Sequence, residues 1–100
     1  MQKQAQAKGF TLIKNLCSHG VGLSLHEDPR YILPFPDFED KRCLEKDLVI
    51  TIEPFISKGS EEIVQSTDGW TLVPRPELDT VQFEHSMIIG DKGVELLTLP

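Results

Sequence analysis

The chain has no run of apolar residues approaching the ~18 to 20 needed for a helix to cross a bilayer, which argues against a membrane partner. It has only two cysteines, Cys17 and Cys43, too few for a disulfide framework. Its first residues, Met1 to Lys8, contain no apolar core of the kind a secretory signal carries. Together these point to a reducing, cytoplasmic setting. Basic charge is also scarce: ten Lys and Arg stand against sixteen Asp and Glu, a net charge of −6. Such a chain has no positive footprint for a phosphate backbone, which argues against a nucleic-acid partner. Long helices are excluded by composition too, because seven Pro and seven Gly in 100 residues interrupt the chain too often. Strands joined by loops are expected instead. A single domain of this length buries only about 60 to 70 per cent of its unfolded surface, so its core is thin.

What is present is organised around Asp47 to Phe55, the most apolar and β-branched stretch. Read as a strand, it sends Leu48, Ile50 and Ile52 to a core face and Val49, Thr51 and Glu53 to the other. Pro54 lacks a backbone donor and should end regular pairing just past Glu53. Met1 to Lys8 reads as a short helix, the tail of something longer, with Gly9 as its C′ residue. Phe10 to Ile13 is a candidate strand, and His19-Gly20-Val21-Gly22 a tight glycine-rich loop. Asp28 to Asp47 reads as a long irregular connection, since Pro29, Pro34 and Pro36 forbid a helix. Beyond the central strand, Glu62 to Gln65 could pair with it, and Trp70 to Val73 forms a strand stopped by Pro74 and Pro76. Thr80 to Ile89 is one long strand with Gln82, Glu84, Ser86 and Ile88 on a single face. Asp91-Lys92-Gly93 turns the chain, and Val94 to Leu99 pairs back.

Three segments carry groups able to coordinate a cation: His19 and His26, Glu53, and Glu84. Glu84 stands out because it lies mid-strand among apolar neighbours, where an unpaired carboxylate is costly to bury. The plainer alternatives are a backbone-bonded loop histidine at His19, a capping role for His26, and a lysine partner for Glu84. Spacing alone supports no more than a metal hypothesis.

Five stretches, in order, carry a resemblance: His19-Gly20-Val21-Gly22; Leu25-His26-Glu27-Asp28-Pro29; Thr51-Ile52-Glu53-Pro54; Asp68-Gly69-Trp70-Thr71; and Gln82-Phe83-Glu84-His85. Together they resemble the motifs of type I methionine aminopeptidases from about Lys8 to Leu99. The resemblance implies an α+β fold, half of a pita-bread architecture, with a curved antiparallel sheet and one short N-terminal helix. It implies that residues 1–100 are the carboxy-terminal half of the catalytic domain, with the first half absent. His19, Glu53 and Glu84 would be metal ligands, with Glu84 bridging two divalent ions whose identity, cobalt, manganese, iron or zinc, the donor types leave open. Glu53 and His26 would be catalytic. Glu53 would pass a proton to the leaving amine, and His26 would meet the charge on the tetrahedral intermediate. His26, Trp70 and Leu25 would contact the substrate, a peptide or nascent-protein N-terminus with its initiator Met.

Departures from the family pattern are informative. Two further aspartate ligands and a second histidine come from the first half of such enzymes, and no segment here corresponds to it. Ser18 replaces a usual glycine, and Leu25 stands where an aromatic residue often lines the methionine pocket. The isolated chain is therefore expected to be inactive and to self-associate through uncovered apolar surface. A proline-specific peptidase of the same fold, and a non-catalytic pita-bread binding module, are the competing readings.

Overall fold

The computed structural model describes residues 1–100 throughout. It contains one short helix, α1 (Gln2–Ala7), and ten strands. In chain order these are β1 (Thr11–Leu12), β2 (Ser18–Gly20), β3 (Glu27–Ile32), β4 (Val49–Ile52), β5 (Phe55–Ser57), β6 (Glu62–Gln65), β7 (Leu72–Arg75), β8 (Thr80–Gln82), β9 (His85–Gly90) and β10 (Gly93–Leu96). All pairings are antiparallel, in a five-stranded sheet β10-β9-β4-β2-β3, a three-stranded sheet β1-β5-β8 and a two-stranded ribbon β6-β7. No helix is long and apolar enough to cross a membrane. Cys17 and Cys43 are both free.

The helix stops where its sequence says it should. Gly9 takes φ +78°, a left-handed conformation that costs glycine little. That turn lets the Gly9 N–H reach the Gln6 carbonyl and the Phe10 N–H reach the Ala5 carbonyl, closing a Schellman motif. Ala5 is the helix's one buried residue, packed where the chain turns into β1.

β4 lies at the centre of the larger sheet, as its β-branched sequence leads one to expect. Ile50 is 1% exposed and its neighbour Thr51 2%, so this strand is covered on both faces. The second face is thus a buried polar one rather than a solvated one. The buried apolar set is only Ala5, Leu12, Ile13 and Ile50, while many large hydrophobic side chains stand exposed.

Several sequence expectations are corrected. Asp28 to Asp47 is not irregular throughout, because β3 runs through Pro29. It is an edge strand, where a missing backbone donor is tolerated. Likewise β7 passes through Pro74, in a ribbon with no third strand to require its N–H. β6 pairs with β7, with Val64 facing Val73, and not with the central strand. The expected single strand Thr80 to Ile89 is interrupted at Phe83-Glu84, whereas the lapse of the central strand at Glu53-Pro54 is the one that Pro54 led one to expect. The last strand ends at Leu96, although Leu97 still donates its N–H to the Ser86 carbonyl.

The interruptions share one register. Ile52 faces His85 before the gap and Phe55 faces Gln82 after it. The residues between must therefore stand opposite one another, Glu53 against Glu84 and Pro54 against Phe83. The two arms form a single antiparallel ladder with a local break, where Pro54 supplies no donor.

Close approach of β2 to β3 fixes the other side of this region. A Cβ on Gly20 would lie 2.2 Å from the Asp28 carbonyl oxygen, an impossible contact with main chain. We expect Gly20→Ala to destabilise the fold by about 1 to 3 kcal/mol through this overlap. Urea unfolding measures it, and an unchanged midpoint would contradict the tight β2-β3 approach.

Candidate metal centre

His19 sits in β2, 7% exposed, and Glu53 follows the end of β4, half-buried. Their side chains meet with His19 Nε2 3.1 Å from Glu53 Oε1. The other ring nitrogen, Nδ1, is 2.7 Å from the Gly20 carbonyl oxygen. A carbonyl only accepts, so Nδ1 carries a proton. Neutral His19 would then present a lone pair to a carboxylate oxygen, which is repulsive. A second proton, or a cation shared by both groups, removes that conflict.

The carboxylate of Glu53 is braced from several directions. The Thr51 hydroxyl lies 3.0 Å from Glu53 Oε1, and the same hydroxyl accepts the His19 backbone N–H at 3.3 Å. The Glu53 N–H, which has no ladder partner at the break, donates to Ser18 Oγ at 3.1 Å. Ser18, 3% exposed, thus anchors the main chain where pairing lapses. Sequence reasoning saw Ser18 only as a mild substitution. Its role depends on a contact 35 residues away along the chain, which no local pattern displays.

Glu84 is exposed, at the break between β8 and β9, and not buried mid-strand. Its carboxylate therefore keeps its contact with water and carries no burial cost. Its proximity to Glu53 has a different origin, the shared register, and like charges directly opposite on a ladder repel. Gln82 Nε2 reaches both groups, at 3.1 Å from Glu84 Oε2 and 3.5 Å from Glu53 Oε2, the second at the limit of a hydrogen bond.

His26 is exposed, and its ring lies over His19 with centroids 4.3 Å apart and planes tilted by 40°. The loop leading to it is held by the Ser24 N–H donating to Glu27 Oε1 at 2.8 Å. Trp70 and Leu25 are 87% and 74% exposed and stand out into solvent. Trp70 is nonetheless fixed at its backbone, because Asp68 Oδ1 accepts the N–H groups of Trp70 and Thr71 at 2.9 and 2.8 Å. The Thr71 hydroxyl, with those two N–H groups, holds the Asp68 carboxyl below its ordinary range. His85 turns away from the carboxylates, with Nδ1 2.9 Å from the Thr98 hydroxyl.

No three His, Cys, Asp or Glu side chains close into a metal-holding cluster. The donors are a contacting pair, His19 and Glu53, with Glu84 joined to them through Gln82. The donor chemistry nevertheless suits a divalent cation. One imidazole nitrogen is freed toward the site, and two carboxylates face each other without a positive partner.

Comparison with known proteins places this arrangement. Metallopeptidase family M24 matches residues 1–91, and the chain belongs to that family. Within it, the chain is similar to methionine aminopeptidases. It is 35% identical over 99 residues to the methionine aminopeptidase of Escherichia coli K12, covering 99% of this chain and 37% of that protein. It is 42% identical over 95 residues to methionine aminopeptidase 2 of Bacillus subtilis, covering 95% of this chain and 38% of that protein. Its fold matches the crystal structure of the Thermotoga maritima methionine aminopeptidase with a TM-score of 0.90 at 35% identity, over 99% of this chain and 39% of that one. The Rickettsia prowazekii methionine aminopeptidase gives 0.89 at 29% identity, over 98% and 40%. The architecture is thus part of the pita-bread fold, and the chain spans well under half the length of the relatives it matches.

The bracing at the break has a measurable consequence. Ser18→Ala should leave the Glu53 N–H without its acceptor and lower stability by about 1 kcal/mol or somewhat more. Equal urea midpoints for the two proteins would refute this role.

Proposed function

We propose that this chain is the carboxy-terminal half of a methionine aminopeptidase catalytic domain. In that reading it supplies metal ligands to a hydrolase that removes the initiator Met from peptide and nascent-protein N-termini in the cytoplasm. The observation that carries the reading is the His19–Glu53 pair at 3.1 Å, with Glu84 opposite Glu53, in a chain of family M24. His19, Glu53 and Glu84 would hold the divalent ions. Divalent ions bound there would polarise the scissile carbonyl and lower the pKa of a water.

The chain's own residues then have distinct tasks. His19 offers Nε2 because the Gly20 carbonyl occupies Nδ1. Glu53, held by Thr51 and Ser18, carries a proton from the water to the leaving amine. His26, beside His19 but exposed, meets the negative charge that develops on the scissile carbonyl oxygen. Trp70 and Leu25, projecting from separate loops, contact the methionine side chain. Their high exposure here suits a pocket that needs a further segment to close it.

The ligand set limits what these 100 residues do alone. A second ion would keep only Glu84, and a single carboxylate holds a divalent cation poorly in water. We expect the purified chain to release no methionine from a Met-Ala-Ser peptide with added manganese or cobalt. Its uncovered apolar surface should drive self-association visible by light scattering. Activity should appear on adding a segment that supplies the two aspartate ligands. Robust methionine release by a monomer of this chain would overturn the half-site reading.

In the complete enzyme, His26→Ala should leave metal content unchanged and lower kcat by roughly 100-fold. Elemental analysis alongside steady-state kinetics separates the two. Parallel loss of metal and activity would make His26 a ligand instead.

A further inference from the structure

We propose that Gln82 is a positioning residue that holds the Glu53 and Glu84 carboxylates together, ready for a cation. The inference rests on the metal-ligand reading of those two side chains. Register puts Glu53 directly opposite Glu84, where paired β positions bring Cβ atoms within about 5 Å and like charges push the side chains apart. Glu53 is held by Thr51 beside His19, so it is the exposed Glu84 carboxylate that, left to itself, would rotate away into water. Gln82 opposes this. It ends β8 two residues before Glu84, and its side-chain amide reaches the Glu84 carboxylate across the break.

The contacts fit that task. Gln82 is the β8 residue that faces Phe55 across the resumed ladder, so its backbone is fixed while its side chain reaches back over the gap. Its Nε2 has two protons and no charge, and it lies 3.1 Å from Glu84 Oε2 and 3.5 Å from Glu53 Oε2. A neutral donor suits the position better than lysine would. It offsets repulsion without competing as a cation, and each carboxylate keeps lone pairs for coordination. Outer hydrogen bonds of this kind orient ligands and typically govern metal affinity by 10- to 100-fold. Gln82 is itself exposed, so it contributes little to the core.

The test compares the full chain with Gln82→Met, which preserves length but not the donor, and with Gln82→Thr, which favours a strand but is too short to reach. Manganese binding is followed by calorimetric titration. The carboxyl carbon resonances of Glu53 and Glu84 are followed by NMR without metal. We expect manganese affinity to fall by roughly tenfold or more in both variants. Both carboxyl resonances should move in the metal-free protein, and the melting temperature should stay near that of the parent. Unchanged or tighter manganese binding, or unmoved carboxyl resonances, overturns the proposal while leaving the ligand reading in place. Failure of the parent chain to bind manganese at all overturns both.

Discussion

Two carboxylates facing each other across one antiparallel ladder are the constraint on which the rest of this structure turns. β4 and β5 run against β9 and β8 in a single register, and the pairing lapses where Glu53 meets Glu84. A lapse leaves main-chain groups to be satisfied by other means, and a like-charge pair must be relieved by something positive or by donors. Ser18 answers the first need, and Gln82 answers the second. Residues from β2, β4 and β8 converge on the break because the break requires them. The same requirement makes it a natural place to hold a cation.

The support around that point is mostly polar and buried. Ser18, His19 and Thr51 are all under 10% exposed, although the buried apolar set is only four residues. Such an arrangement is costly unless every group finds a partner, and no buried side-chain nitrogen or oxygen lacks one. The tight approach of Gly20 to the Asp28 main chain seats β2 against β3, and the His19 and His26 rings lie against each other beside it. The seating of β2 and the pairing of His19 with Glu53 draw on the same few contacts here. A change that loosens β2 therefore disturbs both.

Much of this was legible in the sequence. The run Asp47 to Phe55 announced a central strand, realised as Val49–Ile52, and Pro54 announced where its pairing would lapse. Alternation placed Thr51 and Glu53 on one face, and they do share a hydrogen bond. What the sequence could not show was depth and partnership. Glu84 was read as buried because apolar residues flank it, but flanking residues do not report a break that opens the strand to water. β3 was missed because proline forbids helix and central strand alike yet tolerates an edge, and edge position is a property of the whole sheet. Ser18 stood out only as a departure from a family glycine and Gln82 only as part of a motif, since the contact each makes is one that only the assembled ladder creates.

The ribbon of β6 and β7 has a further meaning. The ladder closes at Ser57 opposite Thr80 before the chain departs, and the ribbon returns to it without passing through the carboxylate pair. Trp70 hangs from the far end of that detour, at a turn pinned by Asp68. Lengthening or shortening the ribbon would carry Trp70 to a new position while Glu53 and Glu84 stayed opposite each other. The exposed Trp70 and the carboxylate pair are mechanically uncoupled in such a design, so the reach of one can change without disturbing the register of the other.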